Sequence, residues 1–232
     1  MSKLYLVPNS INEGGENLLP LYVALAIKDI RTFFVEEPKS ARRLLKSFDT
    51  NFPLNDCRFF DLNEHSNPKE IQGYANILKE GDCAIISEAG CPCVADPGAD
   101  LVFLAHQLQI NIIPLVGPSS ILLALMASGL SGQNFAFNGY LPKDRQDRAK
   151  KIKMLEDCST KEKQTQIFME APYRNQSILE DILANCQDRT NLCIACDITA
   201  PSQIIKTMTI REWKKSPINI DKKPALFLLL RY

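Results

Sequence analysis

Residues 83–120, CAIISEAGCPCVADPGADLVFLAHQLQINIIPLVGPSS, decide the fold of this chain. An apolar run at 83–87 has the length and bounds of a buried parallel strand. An irregular loop follows at 88–98, because two prolines and two glycines keep its backbone from continuing as helix or sheet. Apolar residues at helical spacing then predict a helix over 99–107, and a second apolar run predicts a strand over 110–116.

Both predicted strands end in loops of small and acidic residues that lead directly into helices. The first loop begins with Glu88-Ala89-Gly90, and the second is Gly117-Pro118-Ser119-Ser120. In an open α/β sheet, ligands bind beyond the carboxyl ends of the strands, where backbone amides and helix N-termini converge. The stretch therefore predicts the ligand-binding edge of an α/β sheet.

Length and composition exclude several classes of protein. The chain has 232 residues, enough for one large domain or two small ones, and its 45% hydrophobic residues are typical of a globular protein. Lysine plus arginine equals aspartate plus glutamate at 27 each, so any contact with nucleic acid must come from a local basic patch. The first apolar run is too short for a signal peptide and no stretch approaches transmembrane length, so we expect a cytoplasmic protein.

The eight cysteines do not predict a metal site. Cys57 and Cys83 lie in strand-like runs, where a reduced cysteine is a small core residue. Cys193 and Cys196 have the spacing of a CxxC pair, but strand positions three apart face opposite sides of a sheet and cannot chelate one ion. Two further cysteines, Cys91 and Cys93, flank Pro92 in the irregular loop at 88–98, here called the cleft loop, and are expected to be the most exposed thiols.

The rest of the chain alternates strands and helices with short connections. Strands are predicted at 3–7, 32–35, 57–62, 135–137, 166–169, 192–197, 204–209 and 225–230, with helices at 18–27, 121–127 and 177–184, another from 38 and one that ends near 79. Such alternation predicts a doubly wound parallel sheet in the first half. Hairpin-like spacing late in the chain predicts a mixed sheet in the second half, with the domain boundary near Gly117-Pro118.

Several loops together resemble the tetrapyrrole (corrin/porphyrin) methylase superfamily. They are Leu4-Tyr5-Leu6-Val7-Pro8, Glu88-Ala89-Gly90-Cys91-Pro92, Asp96-Pro97-Gly98, Pro114-Leu115-Val116-Gly117-Pro118-Ser119-Ser120, Ala127-Ser128-Gly129-Leu130, Gly139-Tyr140-Leu141-Pro142 and Phe168-Met169-Glu170-Ala171-Pro172-Tyr173-Arg174. They occur in the family's order over most of the chain. The branch they resemble most is that of the 16S ribosomal RNA 2′-O-ribose cytidine methyltransferases.

The resemblance implies two α/β domains, residues 1–116 and 117–232, with S-adenosyl-L-methionine (SAM) in the cleft between them and usually a homodimer. The cofactor-binding residues that it implies are Pro8, Glu88, Ala89, Gly90, Asp96, Ser119, Ser120, Met169, Pro224, Ala225 and Leu226. Acidic side chains suit the cationic sulfonium and ammonium groups and the ribose hydroxyls of SAM, and small residues let backbone amides approach. The methyl donor is an organic cofactor, so no metal is expected.

The chain departs from the family's pattern at four places. The N-terminal loop reads Pro8-Asn9-Ser10-Ile11-Asn12, with its glycines delayed, and Glu88 to Pro92 stands where relatives have Asp-Ala-Gly-Thr-Pro. Glu37-Pro38-Lys39 replaces Asp-Thr-Arg and loses the arginine's fork for phosphate. Asp197-Ile198-Thr199-Ala200 replaces Glu-Leu-Thr-Lys and loses the lysine. These changes affect the acceptor side at least as much as the SAM side.

Candidates for substrate contacts and for chemistry come from the second half. The charged stretch 143–153 is a candidate RNA surface or a solvated helix face, and the substrate-binding residues predicted in and near it are Lys143, Arg145, Arg148 and Arg174. Removal of a proton from a ribose hydroxyl requires a base, for which Glu170 and Asp197 are the candidates. Tyr140 and Tyr173 are candidates for stacking on a base.

Three functions remain open from the sequence. The first is a SAM-dependent methyltransferase whose acceptor is small-subunit ribosomal RNA at a 2′-hydroxyl, a step in rRNA processing. The second is the same chemistry on another RNA position or on a tetrapyrrole-like small molecule. The third is a SAM-binding protein without turnover.

Overall fold

The structure is a computed structural model that describes residues 2–232. These residues form ten strands and nine α-helices. They divide into two compact units, the first ending at Ser119 and the second beginning at Ser120, three residues beyond the predicted division after 116. No helix in the described range combines the length and the apolar character needed to cross a membrane.

The first unit contains a parallel five-stranded sheet. Its strands are β1 (Lys3–Val7), β2 (Thr32–Val35), β3 (Arg58–Asp61), β4 (Cys83–Ile86) and β5 (Asn111–Pro114). Their order is β3-β2-β4-β1-β5, and every neighbouring pair is parallel. The central strands β2 and β4 are buried along their whole length, which is why they read as continuous apolar runs.

Helices cover both faces of this sheet. They are α1 (Leu21–Ile27), α2 (Pro38–Phe48), α3 (Pro68–Gly73), α4 (Ala75–Glu80) and α5 (Ala99–Gln107). Apolar side chains of α1 and α2 pack on one face, and those of α3, α4 and α5 pack on the other. The predicted doubly wound parallel sheet is confirmed.

The second unit contains a mixed five-stranded sheet. Its strands are β6 (Phe135–Tyr140), β7 (Thr165–Met169), β8 (Asn191–Cys196), β9 (Ile204–Thr209) and β10 (Ala225–Leu230). The order is β6-β7-β10-β8-β9; β6 and β7 are parallel, and the other neighbours are antiparallel. The predicted mixed sheet and its β8–β9 hairpin are both present.

The helices of the second unit also lie on two faces. They are α6 (Ser120–Ser128), α7 (Arg145–Glu162), α8 (Asn175–Asn185) and α9 (Ile210–Lys215). Side chains of α6 pack on one face of the sheet, and those of α7, α8 and α9 pack on the other. The N-terminus of α7 is capped by Asp144, whose side chain accepts from the backbone N–H groups of Gln146 and Asp147.

Two elements differ from the predictions. Strand β6 continues to Tyr140, three residues beyond the predicted strand at 135–137. Gly139 takes a left-handed φ of 62°, and the strand pairing shifts there as in a bulge. The helix expected to end near residue 79 is two short helices, α3 and α4, joined at Tyr74.

Three of the four cysteines predicted as core residues, Cys83, Cys193 and Cys196, are buried, and the fourth, Cys57, is half-buried. All eight are free thiols. Cys193 packs in the core on the α6 face of the second sheet and Cys196 in the core on the opposite face, so the CxxC pair cannot share an ion. Cys91 and Cys93 in the cleft loop are half-buried, which is less exposed than predicted. Burial raises the pKa of the Cys93 thiol to about 11, so this thiol is protonated and unreactive at neutral pH.

Candidate functional site

The carboxyl ends of four parallel strands bring the predicted cofactor loops of the first unit together. Asn9, after β1, forms a two-residue antiparallel bridge with Gly90, after β4, with N···O distances of 2.9 and 3.1 Å. The Asn9 amide also donates to the carbonyls of Ser87 and Glu88, both at 3.1 Å. Asn9 thus fixes the loop that carries Glu88, Ala89 and Gly90, and sequence reasoning did not single it out.

Two glycines permit this close packing of loops. A Cβ on Gly117 would lie 2.1 Å from the Pro8 Cβ, so only glycine fits where the loop after β5 passes β1. Gly90 has a φ of +69°, a left-handed conformation that glycine adopts without strain. Cys91 donates a weak hydrogen bond from Sγ to the Pro118 carbonyl at 3.4 Å. The motif Gly117-Pro118-Ser119-Ser120 is therefore tied to the loop after β4.

Three carboxylates cluster at this edge without a cation. Glu36 follows β2, Glu88 follows β4, and Asp96 lies further along the loop after β4. No Lys, Arg or His of the described chain forms an ion pair with any of them. Burial, helped by the charges of Glu36 and Glu88, raises the pKa of Asp96 to about 7. Burial and the charges of Glu88 and Glu64 raise the pKa of Glu36 as well.

The Asp96 carboxyl has an orphaned oxygen. Its Oδ2 is buried and accepts no hydrogen bond within residues 2–232. A buried acceptor without a donor is costly in the free protein, and a ligand that supplies a cation or a donor repays that cost. The residues before it hold strained backbone: Cys93 and Ala95 have φ of 66° and 62°. Such strain is often found at ligand sites.

A polar cavity of about 80 Å³ lies beside this edge in the first unit. It is lined by residues 9–13 and by Glu16, Ser40, Arg43, Leu44 and Glu88. Arg43 is paired with Glu13 at 2.6 Å, and both side chains are largely exposed. Sequence reasoning did not find the cavity, and it considered Arg43 only as an extension of the candidate RNA surface. Arg43 lies one helical turn after the Lys39 that stands in place of the family's arginine.

The predicted residues of the second unit also meet at one sheet edge. Tyr140 pairs with Met169, Met169 with Leu226, and Ala225 with Cys196, so four strands end or begin together there. The residues that this edge brings together are Met169, Glu170, Asp197, Pro224, Ala225 and Leu226. Ser120 lies apart from them on the chain, as the first residue of α6.

Both candidate bases of the second unit are ion-paired. Glu170 is buried and lies 3.2 Å from the Arg174 guanidinium, and its other oxygen accepts from the Ala171 amide at 2.9 Å. Asp197 lies 3.3 Å from the Lys223 ammonium and accepts from the Ser202 hydroxyl at 2.9 Å. These carboxylates already hold cations of their own chain.

The predicted substrate-binding residues occupy different environments. Lys143 is exposed, and Arg145 is exposed while pairing with Asp181 at 3.0 Å. Arg148 is buried on Asp181, with an N···O distance of 2.5 Å, and also donates to the Lys143 carbonyl at 2.9 Å. Arg174 is mostly buried on Glu170. Of these four predicted residues, Lys143 and Arg145 present a cationic side chain to solvent, and Arg148 and Arg174 do not.

No group of three or more potential metal-ligating side chains occurs in residues 2–232. The acidic groups of the first edge do not form such a group. The arrangement suits an organic ligand that carries positive charge and hydroxyl donors.

One protein family matches most of this chain. The family model described as Tetrapyrrole (Corrin/Porphyrin) Methylases matches residues 11–214. The ribosomal RNA small subunit methyltransferase I of Vibrio cholerae serotype O1 is 31% identical over an alignment of 233 positions, which covers 99% of this chain and 77% of the relative. The protein of the same name from Escherichia coli O157:H7 is 29% identical over 98% of this chain and 77% of its own length.

Solved structures share the fold at low sequence identity. Diphthine synthase superposes with a TM-score of 0.66 at 12% identity, over 99% of this chain and 90% of that one. The methyltransferase CobJ gives 0.63 at 16% identity, over 99% and 93%. A uroporphyrin-III C-methyltransferase from Thermus thermophilus, complexed with S-adenosylhomocysteine, gives 0.51 at 16% identity, over 99% and 98%.

Proposed function

The chain belongs to the tetrapyrrole (corrin/porphyrin) methylase family, and from that premise we propose that it transfers the methyl group of SAM to small-subunit ribosomal RNA. The proposed acceptor atom is a 2′-hydroxyl of a 16S rRNA cytidine. The chain is a methyltransferase by family, and its relatives of about 30% identity carry the name of a ribosomal RNA methyltransferase.

The observation that carries the cofactor proposal is the acidic edge of the first unit. SAM has a sulfonium and an ammonium cation and two ribose hydroxyls, all of which suit carboxylates that have no cation of their own. The orphaned Oδ2 of Asp96 is the buried acceptor that such a group would satisfy. We therefore propose that Pro8, Glu88-Ala89-Gly90, Asp96 and Ser119 hold the cofactor in this unit.

For the second unit we propose a contribution from one sheet edge. The residues are Met169, Pro224, Ala225 and Leu226, with Ser120 at the start of α6. SAM supplies an electrophilic methyl group, so the chain's own residues need mainly to orient the acceptor and the cofactor in line. Glu170 and Asp197 stay the proposed candidates for moving the hydroxyl proton, although each now carries an ion pair that positions it.

A local basic surface supports an RNA acceptor despite zero net charge. On α7, Lys150, Lys153 and Lys161 line one exposed face, which they share with Met154 and with the carboxylates of Asp157 and Glu162. Lys143 and Arg145 precede and begin the same helix, and both are exposed. Such a face binds phosphates without reading sequence. The substrate proposal thus rests on this surface together with the relatives' name.

Calorimetric titration with SAM and with S-adenosylhomocysteine tests the cofactor proposal. We expect binding by the wild-type chain and its loss in Asp96→Ala and Ser120→Trp. Asp100→Asn is the matched control, because Asp100 is an exposed carboxylate on α5. No binding by the wild-type chain would overturn the proposal.

Transfer of a labelled methyl group to isolated small subunits tests the acceptor. Label on the ribose of 16S rRNA supports the proposal, whereas label only on another RNA or on a tetrapyrrole supports the second function considered above. SAM binding without transfer to any acceptor would favour a binding protein without turnover. We place the reaction in the cytoplasm, where small subunits are assembled.

We also propose that the chain forms a homodimer. Leu18, Leu21, Tyr22 and Leu25 recur at helical spacing around α1, and each is at least half exposed. A row of exposed large apolar residues marks an interaction surface. Sedimentation equilibrium is expected to show a dimer that Leu21→Glu dissociates, and a wild-type monomer would contradict the proposal.

A further inference from the structure

The edge of the second sheet carries an exposed tyrosine between two exposed lysines. Tyr173 follows β7 and is 70% exposed. Lys143 lies in the segment after β6, and Lys222 lies in the segment before β10. Both lysines are exposed, and neither forms an ion pair within the described residues.

Hydrogen bonds bring these three residues into one place. The Lys222 amide donates to the Pro172 carbonyl at 3.1 Å, which joins the Lys222 segment to the turn that carries Tyr173. Arg174 donates to the Pro142 carbonyl at 3.1 Å, which joins the same turn to the segment of Lys143. The turn that carries Tyr173 is therefore hydrogen-bonded to the segments of both lysines.

Two ion pairs on buried carboxylates support these residues. Arg174 is held by the buried carboxylate of Glu170, and Arg148 is held by the buried carboxylate of Asp181. Both guanidinium groups donate to the Pro142 carbonyl. Lys222 has a φ of 57°, so its segment adopts a costly left-handed turn that fixes its direction. The exposed ring is thus presented on a fixed frame.

We infer that Tyr173, Lys143 and Lys222 form a platform that binds single-stranded RNA beside the proposed acceptor site. The Tyr173 ring stacks on an unpaired base, and the two ammonium groups contact the flanking phosphates. Stacking on aromatic rings combined with backbone cations is the general way that proteins hold single strands. The inference rests on the proposed function and names where that site takes its RNA.

This platform differs from the lysine face of α7. That helix has no aromatic residue, so its lysines can contact phosphates but offer no ring for a base. A duplex presents phosphates but no unpaired base to Tyr173. The platform therefore predicts a preference for single-stranded over double-stranded RNA that depends on the tyrosine.

Fluorescence anisotropy of the full chain with a labelled oligoribonucleotide of about twelve residues tests the inference. We expect Tyr173→Ala to weaken binding about 5- to 150-fold, the range that corresponds to one lost stacking contact, and Tyr173→Phe to restore it. Lys222→Gln is expected to reduce the slope of log K against log salt by about 0.7. Tyr232→Ala is the matched control, because Tyr232 is another highly exposed tyrosine.

Three results would overturn the inference. The first is unchanged RNA binding by Tyr173→Ala. The second is a loss of binding by Tyr232→Ala as large as that by Tyr173→Ala. The third is a preference for single strand over duplex that is the same in Tyr173→Ala and in the wild type. Methyl transfer to small subunits distinguishes failure of the platform from failure of the proposed function. If the wild type methylates small subunits and Tyr173→Ala does so with no higher KM for them, the platform is rejected and the proposed function stands. Binding through Tyr173 without transfer to rRNA supports the platform and rejects only the proposed acceptor.

Discussion

The carboxylates at the two sheet edges differ in whether a cation of the chain pairs with them. In the first unit, Glu36, Glu88 and Asp96 cluster without a cation from the described chain. In the second unit, Glu170 is paired with Arg174, and Asp197 is paired with Lys223. Both edges carry acidic side chains beyond strand ends, and only the second neutralises them internally.

This difference distinguishes carboxylates that are available to a ligand from carboxylates that hold the chain's own loops in place. Burial and neighbouring like charges raise the pKa values of Asp96 and Glu36, and such a cluster is satisfied when a cationic ligand binds. A buried ion pair holds loops in one arrangement, at a desolvation cost that its attraction only partly repays. The acidic residues of the first edge are therefore the ones we expect to meet the cofactor, and those of the second edge orient the loops around the acceptor.

The largest effect is expected from the buried pair that supports the second edge. Arg148→Met would leave the Asp181 carboxylate buried with one exposed partner, Arg145. Loss of one member of a buried pair typically lowers the free energy of unfolding by about 3–5 kcal/mol. Urea unfolding measures this change. Arg145→Met is the control, and because that side chain is exposed we expect a loss of about 0–1 kcal/mol. Equal small losses would show that the second edge does not depend on internal charge.

A smaller loss is expected at the glycine that closes the first edge. Gly117→Ala would place a Cβ 2.1 Å from the Pro8 Cβ, so the two loops must separate. Overpacking of this kind costs about 1–3 kcal/mol, and we expect weaker SAM binding by calorimetry as well. Gly73→Ala is the matched control in the same unit, because a Cβ there meets nothing within 4 Å. If Gly117→Ala bound SAM normally, this close packing would have no part in the cofactor site.

Sequence patterns predicted the elements that local rules determine. Helix α5 and strands β9 and β10 have the predicted bounds, because each is an apolar-periodic run bounded by loop residues. Strand β6 was predicted too short, since a glycine and a proline nearby resemble a break. The left-handed φ of Gly139 instead lets the strand continue through an irregularity, which sequence alone does not reveal.

The buried ion pairs could not be predicted from the sequence. Arg148 belongs to a run of charged residues that resembles a solvated surface, yet it lies on the buried face of α7 with Ile152 and Leu155. Its partner Asp181 is 33 residues away on α8. Such a contact depends on how two helices pack, and no local pattern carries it.

The pH dependence of stability tests the uncompensated first edge. The pKa of Asp96 is raised from its ordinary 3.8 to about 7, so the folded chain binds this proton more tightly than the unfolded chain. The free energy of unfolding is therefore expected to fall as pH rises from about 4 to about 7, and to level off above that range. Because Asp96 is partly exposed, we expect a change of about 1–2 kcal/mol. Urea unfolding across this range measures it.

Asp96→Asn should remove most of that slope, leaving the smaller contribution of Glu36 in the same direction. SAM affinity should show the opposite trend and rise with pH through about 7, because the ionised carboxyl attracts the cofactor's cations. A wild-type stability that is flat from pH 4 to pH 7 would mean that Asp96 has a cation partner after all.

The smallest effect is expected where the second edge meets solvent. Lys223→Gln leaves Asp197 with the Ser202 hydroxyl alone, and the lysine is partly exposed. We expect a loss of about 1 kcal/mol or less in unfolding free energy. Lys214→Gln is the control for removal of a partly exposed lysine, because it leaves the more exposed Asp188 carboxylate with Arg211 as its partner. Single-turnover methyl transfer by Lys223→Gln then tests whether Asp197 takes part in the reaction. If Asp197 only positions loops, transfer should fall about as modestly as stability does. A rate about a hundredfold lower with SAM affinity unchanged would correspond to about 2.7 kcal/mol of lost transition-state stabilisation, far more than the pair contributes to folding. That result would make Asp197 part of the chemistry and end the simple division between the two edges.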